Sequence, residues 1–416
     1  MKGLSALKAL LLSAIDKVNE NGSPWEKFTR PISPDPSVLF TNVRERLDTI
    51  AMSAEQELEG FVRDGFYVQL KQTDMGDACI WQGIYTAMTV YRHKVLQTDS
   101  SLATMRAAAK ALSMYINRDY NIVCRGAMPA SLEGDLFHID ATKADKYFRN
   151  MHPYFGEMVY REDASLDSFV GLMYGIAVVL RLSKDKESID CFENLSNFCA
   201  EFRDAGCKLT NRDGSMTKYG DCEPKLIQAP VRILAATLPS LLCGCEQWKK
   251  IAKDYGFEFE RTETHFLWMQ AWFNDHLAML SNLAFVIGTK DGDFGRSSAI
   301  KGLQVLVEKH ADKGNSFLLL STLSLGIDVS QGRIEKAIQV LAEFPVGAKP
   351  MSADADVPKV SWQGKIQAKQ PVPVWTRPPQ DVIWQRCPYD VKGAEDVKIN
   401  RMDFLLGYYL LRSLGR

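Results

Sequence analysis

Arg161-Glu162-Asp163-Ala164-Ser165-Leu166-Asp167-Ser168-Phe169-Val170-Gly171-Leu172-Met173-Tyr174-Gly175 begins as a charged turn and becomes an apolar helix. Ser165 is placed to cap that helix, its hydroxyl accepting a free amide of the first turn. Asp167 and Ser168 follow in that turn, where the helix dipole favours negative charge. Gly171 and Gly175 are one helical turn apart on one face, so a neighbouring helix can approach closely. The helix N-terminus therefore displays Arg161, Asp163 and Asp167 above a tightly packed stem.

The same design recurs along the chain. A polar cluster with Asp or Asn is followed by an aromatic-rich helix and then by an ordinary amphipathic one. Asp74 to Arg92 precedes 101–117, Asp163 to Leu182 precedes 187–206, and Asn274 to Val286 precedes 295–311. Inner helices buried on all sides should be apolar all round and outer ones amphipathic. An array of ten or more helices can be a bundle, a solenoid or a closed toroid; this alternation, in an all-α fold, is what an (α/α) toroid demands, with the polar clusters at one mouth. Helical periodicity covers 37–59, 77–97, 101–117, 166–183, 187–206, 230–252, 266–287, 295–311, 315–325 and 331–344. The best strand candidate is Gly65 to Leu70, and Cys124 to Tyr154 reads as a long loop. No repeat of fixed period is present.

Residues 1–36 read as an amphipathic helix followed by a Pro-rich arm (Pro24, Pro31, Pro34, Pro36), since each proline pushes its predecessor out of helix. Residues 37–416 form the toroid domain. Within it, 345–400 is an irregular Pro- and Trp-rich segment expected to cross the mouth, and 401–416 is a closing helix. Lys8 interrupts the N-terminal apolar run and no small-residue cleavage site follows, so synthesis without export is expected. No apolar run approaches the roughly 18 residues needed to span a bilayer.

The chain has 416 residues and a net charge of -1, with 50 Lys and Arg against 51 Asp and Glu. That balance gives no basic footprint for nucleic acid. The nine cysteines are scattered and suit reduced, buried thiols. Cys243-Gly244-Cys245 is too close for a zinc knuckle, and Cys191, Cys199 and Cys207 recur at eight-residue intervals. No phosphate loop, dinucleotide fingerprint, nucleophile elbow or zinc helix motif appears, and neither cofactor nor metal is expected.

The polar clusters carry the candidate chemistry. In the first, Asp77 lies one turn before Trp81 and Tyr85 on one helical face, an arrangement that stacks and rims a sugar ring. Arg125 follows at the start of the long loop. Asp163, Asp167 and Arg161 form the second cluster. In the third, the Asp213-Gly214 turn places Lys218, Tyr219 and Asp221 on a loop. In the fourth, Asn274 or Asp275 caps a helix with His276 in its first turn. The fifth, Pro371 to Tyr389, holds Trp384 and Arg386. Paired carboxylates can work on a glycosidic bond at separations of about 5 Å, or about 6.5–9.5 Å with inversion.

Taken in order, these motifs resemble a group of bacterial and phage proteins related to six-hairpin, (α/α)6-toroid glycosidase-like folds. The resemblance runs from about residue 70 to 416, through Trp81-Gln82-Gly83-Ile84-Tyr85, Arg161 to Gly175, Asp213 to Gly220 and Asn274 to Ala278. It continues in the tail through Pro373-Val374, Arg377-Pro378, Trp384-Gln385-Arg386, Pro388-Tyr389 and Asp403 to Leu406. The chain has Tyr219-Gly220 where relatives have Trp-Gly, and Asp275-His276 where they carry paired acids. The resemblance implies a carbohydrate-binding or glycan-cleaving pocket, hydrolase or lyase, at the toroid mouth. Asp163, Asp167, Asp275 and His276 are the candidates for catalysis. Asp77, Trp81, Tyr85, Arg125, Arg161, Lys218, Tyr219, Asp221, Asn274, Trp384 and Arg386 are those for binding. The alternative it leaves is a non-enzymatic virion protein that uses the toroid for assembly or host-glycan binding, with a partner docked through residues 1–36.

Overall fold

A computed structural model describes residues 43–69, 74–222, 229–254, 272–310, 315–346, 359–362, 365–369, 371–372, 388–389, 391 and 401–415. The described chain is mostly helical. It packs as two units, residues 61–305 and residues 1–60 with 306–416. The expected boundary at 36/37 and the N-terminal arm lie outside the described residues.

The larger unit is organised around two helices, α2 (Ala78–Leu96) and α4 (Leu166–Leu182). Almost every residue from Ala78 to Tyr91, and each from Ser168 to Val179, is buried. Both are thus buried on all sides, α2 with the polar side chains of Gln82, Thr86 and Thr89 among those it buries. They meet through glycines. A Cβ on Gly83 would lie 2.0 Å from the Gly171 carbonyl oxygen, and one on Gly175 would lie 2.7 Å from the Gly83 Cα. No side chain larger than hydrogen fits at this crossing. Gln82 anchors the outer flank of α2, accepting from the Tyr67 amide at 2.8 Å and donating to the Gly65 carbonyl at 2.9 Å.

Around this pair pack α3 (Asp99–Ser113), α7 (Ala229–Leu242) and α9 (Trp272–Gly288). Helix α3 is amphipathic and begins with a capping box, Thr98 and Ser101 each bonding the other's backbone amide. The helix expected over 187–206 is broken into α5 (Lys186–Asp190) and α6 (Leu195–Asp204), and that over 230–252 into α7 and α8 (Gln247–Asp254). Gly244, at φ 76°, ends α7: the Gly244 and Cys245 amides bond the Leu241 and Ser240 carbonyls. This is the turn-back that glycine favours after a helix.

The all-α class is too narrow, because small antiparallel sheets fill stretches expected as loops. Short ribbons pair β1 (Val62–Arg63) with β2 (Phe66–Tyr67), and β3 (Ile116–Asn117) with β4 (Ile122–Val123). The stretch Cys124 to Tyr154 contributes β5 (Gly126–Pro129) and β6 (Tyr147–His152). Both pair with β7 (Gly156–Arg161), the central strand, which runs through a short turn into α4. A further hairpin joins β8 (Lys208–Thr210) to β9 (Met216–Asp221), with an irregularity between Lys208 and Thr210.

In the other unit, α1 (Val43–Glu59), α11 (Ser316–Ser324), α12 (Gln331–Ala342) and α13 (Met402–Leu414) pack together; α10 (Arg296–His310) spans the boundary. Arg401, fully buried, donates to both Glu57 oxygens at 2.7 and 3.0 Å, to Ser53 Oγ at 2.8 Å and to the Pro345 carbonyl. A buried guanidinium requires such partners. Buried Arg46 likewise donates to the Ala342 and Phe344 carbonyls. Of the segment 345–400, the described parts form a hairpin, β10 (Lys359–Trp362) with β11 (Lys365–Ala368), and a small core of Ala368, Val372 and Val391. Its expected course over a mouth falls mainly on residues outside those described, Trp384 and Arg386 among them. No helix among the described residues is long and apolar enough to cross a membrane.

Gly171→Ala is expected to lower stability by about 1–3 kcal/mol or more through overpacking, because the added Cβ meets Ile80 Cα at 2.5 Å. An unchanged urea midpoint would show that the helices can separate at no cost. A second expectation concerns pH. Asp185 caps α5 through the Ser188 amide, and its carboxyl is held down at about 2, first by the Arg106 fork from α3. Its contribution is complete above the usual carboxylate pKa of about 3.9 and is lost as pH falls towards 2. Asp185→Asn should flatten the acid limb of the stability curve between those values; an unaltered limb would contradict the assignment.

Candidate functional site

The sheet and the hairpin bring the polar clusters of the larger unit to the N-terminal end of α4. β5 and β7 pair with Gly126 opposite Arg161, and the Arg125 amide bonds the Arg161 carbonyl at 2.8 Å. Arg125 then spans three segments. It donates to the Gly76 carbonyl, to Asp77 Oδ1 at 3.1 Å and to the Asp163 carbonyl at 3.4 Å. Arg161 is buried and donates to the Asp74 carbonyl at 2.7 Å and to Asp74 Oδ1 at 2.8 Å. Burial of the Asp74 carboxyl would raise its pKa, but Lys143 and Arg161 outweigh burial and hold it below the carboxylate range.

The turn from β7 into α4 is built from its own acids. Buried Glu162 accepts from the Arg212 amide at 2.6 Å and from its guanidinium at 3.1 Å, and that guanidinium lies 4.2 Å from the Phe148 ring centroid. Asp163 adopts φ 63°, a left-handed conformation that Asp tolerates better than most residues. Its amide donates to Asn211 Oδ1 at 3.1 Å, and its carboxylate accepts from the Lys218 amide at 2.8 Å. With its carbonyl on Arg125, Asp163 ties the turn to β9 and the sheet. Ser165 occupies the cap position in extended backbone, but its hydroxyl donates to the Asp167 carboxylate instead of accepting an amide.

The Asp213-Gly214 turn forms as read, with Gly214 at φ 78° and the Ser215 amide on Asp213 Oδ1 at 2.9 Å. Lys218, Tyr219 and Asp221 lie on strand β9, not on a loop. Buried Thr217 pins this strand to the turn before α4 by donating to the Ala164 carbonyl at 2.6 Å. Gly220 packs against Leu209 so closely that a Cβ would sit 2.6 Å from the Leu209 Cβ.

Between these elements opens a cavity of about 410 Å³. Its walls are Ser165, Leu166 and Asp167 of the α4 N-terminus, Met216, Lys218, Tyr219 and Asp221 of β9, Arg125, Arg232 of α7 and Leu277 of α9. Tyr219 is 57 % exposed and Met216 49 %, so an aromatic and a thioether stand open to solvent at its rim. The Lys218 ammonium lies 5.0 Å from the Tyr219 ring centroid. The Tyr219 hydroxyl, by hydrogen bond and then by charge, pushes the Lys218 pKa up. Arg232 donates to the Asp221 carbonyl and lies 3.9 Å from its carboxylate.

Of the residues expected at the site, Asp167, Arg125, Lys218, Tyr219 and Asp221 line one cavity. Asp77 is an exposed partner of Arg125, and Asp163 and Arg161 act as braces behind the wall. Trp81 on α2 and His276 on α9 are buried with their rings 6.4 Å apart, and buried Asp275 directly precedes His276, which is followed by the cavity-lining Leu277. Helix α9 starts at Trp272, so Asn274 and Asp275 lie inside its first turn and not at its cap. Tyr85 lies in the core, stacked on Tyr67 with centroids 5.0 Å apart. Trp384 and Arg386 lie outside the described residues. Sequence reasoning missed Arg232, Met216 and Leu277. Arg232 is the one charge in the apolar run Val231 to Leu238, and that isolation is the signal that could have found it. No protein family, curated protein or solved structure matches the chain.

Asp163 should therefore act on β9 before it acts on any ligand. Asp163→Ala keeps the backbone strain and loses the tether, whereas Asp163→Gly relieves the strain. Alanine should destabilise by about 1 kcal/mol more than glycine, and both should speed exchange of the Lys218 amide hydrogen. Protection of that amide in both variants would remove Asp163 from this role.

Proposed function

We propose that the cavity at the α4 N-terminus binds carbohydrate, with Tyr219 as stacking platform and Asp167 and Asp221 as the carboxylates that address a glycosidic bond. The observation that carries this reading is an exposed aromatic ring beside a concave site lined by both acids and bases. A sugar offers an apolar ring face and a rim of hydroxyls, and such a site supplies a partner for each. Arg125, Lys218 and Arg232 donate, and Asp167 and Asp221 accept. Asp167 takes the place of the Asp163/Asp167 pair, since the Asp163 carboxylate already accepts the Lys218 amide. Glycan cleavage would use one acid to protonate the leaving oxygen and the other to activate water or attack carbon.

The (α/α)6 toroid belongs to the same reading. Its support is the alternation of helices buried all round, α2 and α4, with amphipathic helices such as α3 and α6.

Screening the purified protein against a panel of neutral and acidic oligosaccharides should yield a binder. Tyr219→Ala should weaken it by about two- to tenfold, the range expected for loss of one aromatic contact worth about 0.5–1.5 kcal/mol. If the sugar is cleaved, Asp167→Asn should abolish turnover and preserve binding. No saccharide binding at millimolar concentration, or full affinity in Tyr219→Ala, would defeat the proposal.

A further inference from the structure

The tip of the β6–β7 hairpin hangs on one histidine. His152 pairs with Gly156, which sits at φ 71°, and the chain reverses between them. The His152 ring folds back over the reversal: Nδ1 accepts from the Tyr154 amide and from the Phe155 amide, each at 3.3 Å. An imidazole nitrogen that accepts carries no proton, so the ring is neutral with its hydrogen on Nε2. The tip so fastened packs on two further elements. Lys110 Nζ of α3 lies 3.0 Å from the Tyr154 ring centroid. The Phe155 ring meets Phe66 of β2 edge-on at 4.9 Å and the His152 ring at 5.4 Å. Phe66 is fully buried, whereas Met151 is 76 % and Tyr154 66 % exposed.

Neighbouring turns are fastened in the same way by other side chains. Asn117 Oδ1 takes the amides two and three residues on, Asp119 at 3.1 Å and Tyr120 at 3.2 Å, which is the His152 pattern. Asp140 Oδ1 takes the Thr142 amide and Asp213 Oδ1 the Ser215 amide, each at 2.9 Å. An amide oxygen does not titrate, and carboxylates do so near pH 4. Imidazole alone among these acceptors becomes a donor close to neutrality.

We propose that His152 is an acid-operated switch: protonation of Nδ1 sets an N–H against the Tyr154 and Phe155 amides, and the hairpin tip lets go of α3 and β2. The charged groups facing the ring are Lys110 of α3 and Arg118 and Asp119 of the β3–β4 turn. Arg118 is itself 3.3 Å from Glu193, and Asp119 accepts from Asn150 of β6. Burial, then Arg118 and Lys110, push the His152 pKa down, and Asp119 opposes them. The closed tip therefore holds the ring neutral. In the open tip the ring is hydrated and returns to the ordinary value of about 6.5. Opening thus takes up a proton below about pH 6.5, and acid favours it by up to about tenfold per pH unit. The gain levels off once the closed tip is protonated as well. Release uncovers Phe66 and adds the half-buried Phe155 to the apolar side chains that Met151 and Tyr154 already expose.

The test is hydrogen exchange of the full-length protein, with protection corrected for intrinsic rate, between about pH 8 and about pH 5. In the wild type, protection of the Tyr154 and Phe155 amides should fall by about tenfold or more on acidification, while that of helix α2 holds. His152→Asn copies Asn117, so it keeps the acceptor without the titration and should stay protected throughout. His152→Ala should exchange fast at both ends of the range. Wild-type protection that does not change with pH, or an acid loss that His152→Asn shares, would overturn the proposal. The His152 ring is also read directly by its carbon-bound hydrogens in the NMR spectrum. A midpoint below the ordinary value is expected, and one at or above it would overturn the proposal even if neither variant folds.

Discussion

The contact between Gly83 on α2 and Gly171 and Gly175 on α4 sets the geometry of the larger unit. Because each glycine meets backbone atoms of the other helix, the separation of the two axes is fixed by main chain, not by adaptable side chains. Close packing at that seam leaves no room for either helix to slide. Both N-termini are consequently held at one end, which puts the Asp74 to Asp77 turn beside the Glu162 to Ser165 turn. Cys79 Sγ lies 3.3 Å from the Ser168 carbonyl and its amide bonds the Arg125 carbonyl at 3.1 Å, so the register is closed from both sides.

That placement would juxtapose unscreened acids at two helix starts if the arginines were absent. Arg125, Arg161 and Arg212 each take a carboxylate together with a backbone carbonyl, an amide partner or an aromatic face. Planar guanidinium suits such multiple engagement better than ammonium does. The acids consequently divide by task. Asp74, Glu162 and Asp163 are spent on holding turns, whereas Asp167 and Asp221 line the cavity. Any ligand of this cavity would meet acids already held by neighbours, which would lower the entropy lost on binding.

How much of this was legible follows from the length scale of each signal. Helices of three to five turns repeat their apolar pattern often enough to be read, and α4 was placed within one residue of its ends and α13 within two. The glycine pair was legible too, because a spacing of four marks one helical face. Apart from Gly65 to Leu70, which contains β2, strands of two to six residues were not. Met158 to Arg161 is buried on both faces, so β7 lacks the alternation that marks a half-exposed strand. Treating β5 and β6 as loop also hid why Arg125 stands beside Arg161. Their sequence separation of 36 residues is bridged by strand register alone.

The same reasoning explains why Asp163 and Asp167 could not be told apart in the sequence. From sequence, an acid just before an apolar helix is an exposed charge near a positive dipole end, a description that fits Asp163 and Asp167 equally. What separates them is backbone conformation. At φ 63° the Asp163 main chain turns its carboxylate outward onto the Lys218 amide, and the helix then begins with Asp167 in its first turn, facing the cavity. A left-handed residue is needed there because β7 must reverse into α4 within a few residues. Asp meets that need while supplying an acceptor for the strand alongside, which a glycine would not. The residue that makes the turn thereby has its carboxylate engaged by the strand, and Asp167, four residues on, is the acid of this stretch that lines the cavity.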